Sequence, residues 1–298
     1  MPARRRFMLA AGAGAMLAVQ RAAAVSANAT PASVSSVAAE FARIEAATGG
    51  RLGVAVEDTA SGRRLAYRGG ERFPMCSTAK LLVCGAVLQR VDAGRDTLDR
   101  LVSFAPSALV TYSPATQPHA GTDGMTLEAL CVAAMTLSDN TAANLLIASV
   151  GGPRGVTALA RSLGDTVTRL DRNETTLNEA KPGDPRDTTS PIAMSSNVKA
   201  LLYGTALSAP SRQRLLGWMN GNITGGAKLR AGVPGNWQVA DKTGSGGHGT
   251  SNDVAVLIPP GTAPWPIAVY LTGAVGIDES ARSAAIAAVA RAVVRAWT

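Results

Sequence analysis

Apolar and polar positions follow two rhythms along this chain. Val37 to Glu45 has the spacing of an amphipathic helix, while R-L-G-V-A-V-E from Arg51 to Glu57 and R-L-A-Y from Arg64 to Tyr67 read as strands joined by the turn Thr59-Ala60-Ser61-Gly62. From Ser77 to about Gly217 the pattern becomes mainly helical. It includes Lys80 to Val91, Thr126 to Met135, Thr141 to Val150 and Pro191 to Tyr203, each opened by a polar residue or a proline. After Trp237 strands return at Gln238 to Lys242, Ser251 to Ile258 and Ile267 to Thr272, before an Ala- and Val-rich helix from Glu279 to Trp297. Strands at both ends enclosing a helical insertion predict a shared sheet. Ser77 falls at the boundary between the two textures, where a cleft is expected.

Composition supports a packed protein. Of 298 residues, 46% are hydrophobic and 17% charged, enough to bury a large core, and no repeat or low-complexity linker divides the chain into separate modules. The beginning reads differently. Arg4-Arg5-Arg6-Phe7 precedes an apolar stretch from Met8 to Val19 and then small residues, the order of an export signal over residues 1–27, with cleavage expected between Ala24 and Ala29. The paired arginines before Phe7 resemble a twin-arginine signal, so a periplasmic or secreted location is expected, with no membrane attachment after cleavage. The competing reading is a basic tail carrying a short apolar patch. The run is too short to span a bilayer, and no other segment looks transmembrane.

Removing Arg4, Arg5, Arg6 and Arg21 takes Lys plus Arg from 29 to 25 against 21 acids, so the net charge falls from +8 to about +4. With no basic stripe interleaved with aromatics, nucleic acid is not an expected partner. A basic site for a small anion fits better.

Candidate chemistry lies in short motifs. Ser77-Thr78-Ala79-Lys80 offers a hydroxyl nucleophile and an amine one helical turn later. Ser138-Asp139-Asn140 offers a second hydroxyl, Glu174 with Asn178 a carboxylate and an amide four residues apart, and Lys242-Thr243-Gly244 a cation. If Ser77 begins a helix, the backbone N–H groups and dipole there favour an oxyanion. Each motif alone has an ordinary reading. S-x-x-K is commonly a helix cap with a solvent-facing lysine, S-D-N another cap, K-T-G a strand end, and Glu174 with Asn178 a solvated helical face. The apolar flanks Pro74-Met75-Cys76 and Leu81-Leu82-Val83-Cys84 make an unpaired surface lysine at 80 less natural.

Cysteine placement suggests one pairing. Cys84 lies two helical turns beyond Ser77 and Cys131 just before Ser138, so a bond would tie together the two hydroxyl-bearing elements, stabilising by about 4 kcal/mol at most. A protein exported already folded would acquire it as a reinforcement. Cys76 is left as a small buried hydrophobe beside the nucleophile or a second reactive group.

In combination these motifs resemble the class A serine β-lactamases, whose signature is S-x-x-K, S-D-N and K-T-G. The likeness runs from about Val37 to Trp297. It is most specific in Y-S-P at Tyr112 to Pro114, T-D-G-M-T at Thr122 to Thr126, S-D-N-T-A-A-N-L-L from Ser138 and R-L-D-R-N-E-T-T-L-N-E-A from Arg169.

The resemblance implies one catalytic domain over residues 28–298 with an α+β fold of the β-lactamase/transpeptidase kind, an antiparallel sheet flanked by helices plus an all-α subdomain. The α/β part would take about 28–70 and 220–298, the all-α part about 71–219, with the active site at their boundary. It further implies hydrolysis of β-lactam antibiotics, with no cofactor and no metal, by a monomer. Ser77 would be the nucleophile, Lys80 its proton acceptor or relay, Ser138 the donor to the departing nitrogen and Glu174 the activator of the deacylating water, a water shared with Asn178. Whether Lys80 or Glu174 takes the first proton stays open. Asn140 would hold the substrate's side-chain amide, Lys242, Thr243 and Ser245 its carboxylate, and the N–H groups of Ser77 and Ser245 an oxyanion. Tyr112 would form a cleft wall, and Arg172 with Asp187 would clamp the neck of an Ω-loop.

Several positions depart from commoner family patterns. Thr175 follows Glu174 where Pro is frequent, so a cis peptide there would cost more. The extra cation for the substrate carboxylate falls at Lys228, a point charge rather than a bidentate guanidinium. Gly246 stands where a disulfide partner for Cys76 would be, so that bond is not expected and carbapenem activity is not implied. Penicillin-binding transpeptidases and β-lactam sensor domains share the serine, lysine and K-T-G groups but need no deacylating carboxylate. A metal-dependent hydrolase fits poorly, because His119 and His248 are the only histidines, and a histidine-based serine hydrolase lacks its G-x-S-x-G elbow.

Overall fold

The computed structural model describes residues 34–298, so the expected export signal and its cleavage region lie outside the described residues. In chain order the elements are α1 (Val34–Thr48), β1 (Arg51–Glu57), β2 (Arg64–Tyr67), β3 (Phe73–Pro74), α2 (Ala79–Asp92), β4 (Leu101–Val102) and β5 (Met125–Thr126). There follow α3 (Leu127–Val132), α4 (Asn140–Ser149), α5 (Pro153–Ser162), β6 (Thr188–Thr189), α6 (Pro191–Tyr203) and α7 (Ala209–Asn220). β7 (Gln238–Gly246), β8 (Thr250–Ile258), β9 (Trp265–Thr272) and α8 (Glu279–Trp297) complete the chain.

Five strands form one antiparallel sheet in the order β2-β1-β9-β8-β7, so the two terminal segments do share a sheet. Its two faces follow from the period of two along a strand. On β8 and β9, Val254, Val256, Ala268 and Tyr270 join the core shared with α2 to α7. The alternate residues Ala255, Leu257, Ile267, Val269 and Leu271 pack with Val37 and Phe41 of α1 and Ile286, Val289 and Val293 of α8. Both faces are therefore covered, and β8 reads as a nearly continuous apolar run from Val254 to Ile258. Each fully buried Val, Leu or Ile contributes about 1.5–3 kcal/mol of transfer free energy.

Four elements differ from the sequence expectation. The helix expected over Thr126 to Met135 ends at Val132 and continues as a wide π-helical turn, Ala133–Leu137, that delivers Ser138 in the left-handed region at φ 60°. β7 runs to Gly246 rather than stopping at Lys242, because its pairing with β8 continues through Ser245↔Ser251 and Gly246↔Thr250. Helices α5 and α7 are additional; α5 carries two arginines and α7 opens after Ser208, whose side chain caps its first turn.

The expected bond between Cys84 and Cys131 is not formed. Both are buried free thiols, with Cys84 Sγ 3.9 Å from the Cys131 carbonyl, and Cys76 is also free and buried. Among the described residues no helix is long and apolar enough to cross a membrane, and no group of three or more His, Cys, Asp or Glu could hold a metal ion.

Candidate active site

The chain enters α2 through a 3-10 turn, Cys76–Thr78, with Cys76 at φ 48° and Ser77 buried at its centre. Lys80 follows one turn later, 1% exposed. Its ammonium donates to Ser77 Oγ at 2.8 Å, to Asn140 Oδ1 at 2.7 Å and to the Ser138 carbonyl at 2.9 Å, with Ser138 Oγ at 3.2 Å and Glu174 Oε1 at 2.9 Å. Five acceptors thus surround three protons. Burial pulls the Lys80 pKa down, and Glu174 opposes that shift.

Ser138 owes its position to the break between the π-helical turn and α4. Asp139 begins α4 by accepting the Ala142 N–H at 2.8 Å, and its carboxylate also takes the N–H groups of Ala115 and Thr116 at 2.9 Å each, fixing the Tyr112 loop against the S-D-N turn. The Ser138 hydroxyl therefore sits between two ammonium groups, since Lys242 Nζ donates to it at 3.1 Å. Lys242 is fully buried, and that burial, with the positive charge of Lys80, brings its pKa from 10.5 to about 7.

Glu174 reaches Ser77 across the site, with the serine hydroxyl donating to Oε1 at 3.4 Å. Its other oxygen accepts from Asn178 Nδ2 at 2.5 Å, so the four-residue spacing does bring amide and carboxylate together. Asn178 Oδ1 is buried with no hydrogen-bond partner. The Glu174–Thr175 peptide is cis. At the base of this segment Asp187 accepts from Arg172 Nε at 2.5 Å and from the N–H groups of Asp171 and Arg172 at 2.7 and 2.9 Å.

β7 forms the opposite wall. Gly244 must lack a side chain, because a Cβ there would lie 2.9 Å from the Met75 carbonyl and 3.2 Å from the Ser77 nitrogen; β7 thereby runs alongside the amide of Ser77. Thr243 Oγ1 shares a short hydrogen bond with Thr224. A Cβ on Gly246 would meet Cys76 Sγ at 2.6 Å, so Gly246 does face Cys76 and offers it no sulfur. The buried Cys76 thiol is pushed up to about 12, which makes it a packing group rather than a thiolate nucleophile at neutral pH.

Ser77, Lys80, Ser138, Asn140, Glu174 and Lys242 thus share one hydrogen-bonded network, with Asn178 joined through Glu174 and Thr243 and Ser245 continuing along β7. Two expected residues meet the network indirectly. Tyr112 is 57% exposed at φ 66°, and its contact with the network is its carbonyl, which accepts the Asn140 N–H at 3.0 Å. Lys228 is buried behind β8, donating to Ser251 Oγ at 2.7 Å and pairing with Glu279 Oε1 at 3.2 Å. Glu279 also accepts from Ser251 at 2.9 Å and Ser245 at 3.4 Å, so it stands between Lys228 and the end of the K-T-G strand.

Sequence reasoning missed Asn144 and Glu279. Asn144 holds Glu174 through its side-chain amide, and its only signal is its place in S-D-N-T-A-A-N-L-L, four residues after Asn140 on the same face of α4. Glu279 opens the final helix, where an acidic residue is an ordinary helix start.

Comparison with known proteins agrees with this geometry. A family model described as the β-lactamase enzyme family matches residues 36–297. The chain is 50% identical to β-lactamase AST-1 of Nocardia asteroides over 232 residues, 78% of this chain and 74% of that protein. It is 48% identical to β-lactamase CTX-M-8 of Citrobacter amalonaticus, covering 84% of this chain and 85% of the relative. The solved structure of an ancestral (GNCA) class A β-lactamase superposes with a TM-score of 0.86 at 58% identity, covering 88% of this chain and all of that one. A serine flanked by buried amine and carboxylate, on a chain this similar to such proteins, identifies it as a member of the class A β-lactamases, the enzymes that hydrolyse β-lactam antibiotics through a serine acyl-enzyme and so confer resistance.

Proposed function

We propose that Ser77 is the residue acylated by the β-lactam ring and that Glu174 drives its release. The observation carrying this reading is the position of Ser77 Oγ, 2.8 Å from Lys80 Nζ and 3.4 Å from Glu174 Oε1. As the oxygen attacks the lactam carbonyl, its proton passes to Lys80 or to Glu174, both within reach of the hydroxyl. The N–H groups of Ser77 and Ser245 receive the oxyanion. The ring C–N bond then breaks and Ser138 protonates the nitrogen, being itself re-protonated by the lysine on either side.

Deacylation uses a water between Glu174 and Asn178: the carboxylate takes its proton, hydroxide attacks the ester, and Ser77 leaves with its proton restored. Lys242, Thr243 and Ser245 bind the substrate carboxylate. Asn140, with Oδ1 on Lys80 and one N–H on the Thr111 carbonyl at 2.8 Å, keeps a second N–H for the substrate amide. Lys228 acts on the carboxylate subsite through Glu279 and Ser245, not by direct contact. Tyr112 lines the cleft mouth. Arg172 and Asp187 close the neck of an Ω-loop that presents Glu174.

The same reading places the α/β and all-α parts as one catalytic domain over 28–298, exported by the twin-arginine route to the periplasm. Hydrolysis of a chromogenic cephalosporin tests the chemistry. Ser77→Ala is expected to lower kcat by about 10³-fold or more, and a variant that keeps turning over would remove Ser77 from the mechanism.

A further inference from the structure

We propose that a second, arginine-lined cavity, separate from the serine site, binds a phosphate-ester anion. It encloses about 420 Å³ between α5 and segment 166–171, and its lining includes Arg72, Arg154, Arg161 and Arg169, with Asp171 the one carboxylate among them. None of these residues belongs to the Ser77–Lys80–Glu174 network.

The way each guanidinium is held leaves charge and donors available. Arg72 Nη1 donates to the Val167 carbonyl at 2.7 Å and Thr188 Oγ1 at 3.1 Å, and Arg161 Nη1 donates to the carbonyls of Asp165 and Thr168 at 2.5 and 2.8 Å. Carbonyls and hydroxyls fix a guanidinium without neutralising it. Both arginines bond through one terminal nitrogen, so the rest of each fork is uncommitted. Arg169 alone has a counter-charge, donating through Nε and Nη2 to Asp171. The Arg154 side chain, exposed on the first turn of α5, makes no hydrogen bond or ion pair among the described residues. Three cations without a carboxylate therefore border one cavity, in a chain whose surplus without Arg4, Arg5, Arg6 and Arg21 is only about +4.

The ligand class follows from shape and charge. Several arginines bordering one space suit the terminal oxygens of a phosphate or diphosphate, which accept bidentate bonds from more than one guanidinium. The volume leaves room for the organic part of an ester. No aromatic ring lines the cavity, so base stacking on nucleic acid has no platform there. The phosphate could be carried by a soluble ester or by a lipid headgroup, and the two are separable by experiment.

Purified protein lacking the export signal would be titrated with inorganic pyrophosphate by calorimetry, and with phosphatidylcholine vesicles with and without phosphatidylglycerol by sedimentation. Saturable 1:1 binding of pyrophosphate is expected, weakened roughly tenfold or more by Arg154→Glu and less by Arg154→Ser. The Arg154 side chain has no partner among the described residues, so both variants should keep wild-type melting and wild-type cephalosporin hydrolysis. Capture by the phosphatidylglycerol vesicles that Arg154→Glu abolishes would assign a headgroup. Pyrophosphate binding without vesicle capture would assign a soluble ester. Absence of saturable binding, or binding that survives Arg154→Glu unchanged and competes with cephalosporin, would overturn the proposal and place any anion at Lys242.

Discussion

Asn144 grips the peptide groups on both sides of Glu174: its Oδ1 accepts the Glu174 N–H at 2.8 Å and its Nδ2 donates to the Glu174 carbonyl at 2.8 Å. One side chain of α4 thus aims the carboxylate that faces Ser77 from a different segment.

Asn144→Ala would leave those two backbone groups without partners, at about 1–3 kcal/mol for each that stays buried. We expect deacylation to fall by roughly 10²-fold as the carboxylate loses its aim, with acylation less affected. Pre-steady-state kinetics would show acyl-enzyme accumulating in this variant; equal slowing of both steps would assign Asn144 to general stability instead.

Lys242 gives the site a pH dependence. Held at about 7, its ammonium is charged below that value and neutral above it, so KM for an anionic β-lactam should rise as pH climbs through neutrality. Lys242→Arg, whose guanidinium stays protonated, should flatten that limb. The stability effect has the opposite sense. Because the folded pKa lies below the unfolded one, the buried charge costs stability at and below about pH 7, and the unfolding free energy gains from this group as pH rises from about 7 toward 10.5. A KM indifferent to pH on both sides of neutrality would contradict the assignment of Lys242 to the substrate carboxylate.

Asp187 is 1% exposed and accepts from Arg172 and from two backbone N–H groups. Removing one partner of a buried pair typically costs about 3–5 kcal/mol. Asp187→Ala should therefore loosen the segment between residues 171 and 187, which limited proteolysis would read as faster cleavage there, together with a lower melting temperature. Unchanged cleavage would mean that other contacts close the neck.

Thiol titration addresses the cysteines. All three are buried, so native protein should react with none of its thiols. After denaturation the protein should yield three thiols, as three free cysteines require. One thiol instead of three would show that Cys84 and Cys131 are joined.

The site was legible wherever a side chain is close in sequence to the group it serves. Ser77 and Lys80 share one helical turn, and Asn178 meets Glu174 four residues on, so spacing alone brought each pair together. The route from Lys228 to the site was hidden because its partners, Ser251 and Glu279, come from β8 and α8, and only the sheet register puts them beside Ser245. The π-helical turn before Ser138 was hidden for a related reason: A-A-M-T-L is an unremarkable helical sequence, and nothing in its propensity signals the departure from α-geometry. The sheet itself was plain, since β8 and β9 alternate between two buried faces and both read as apolar runs between turns.

The central claim is that Ser77 acylates and Glu174 deacylates, and counting product per enzyme tests it most directly. Wild-type protein mixed with excess chromogenic cephalosporin should turn over continuously, while Glu174→Ala should release about one equivalent in a burst and carry a covalent adduct on Ser77 by mass spectrometry. Sustained turnover by Glu174→Ala, or a wild type that stops after one equivalent, would contradict the account.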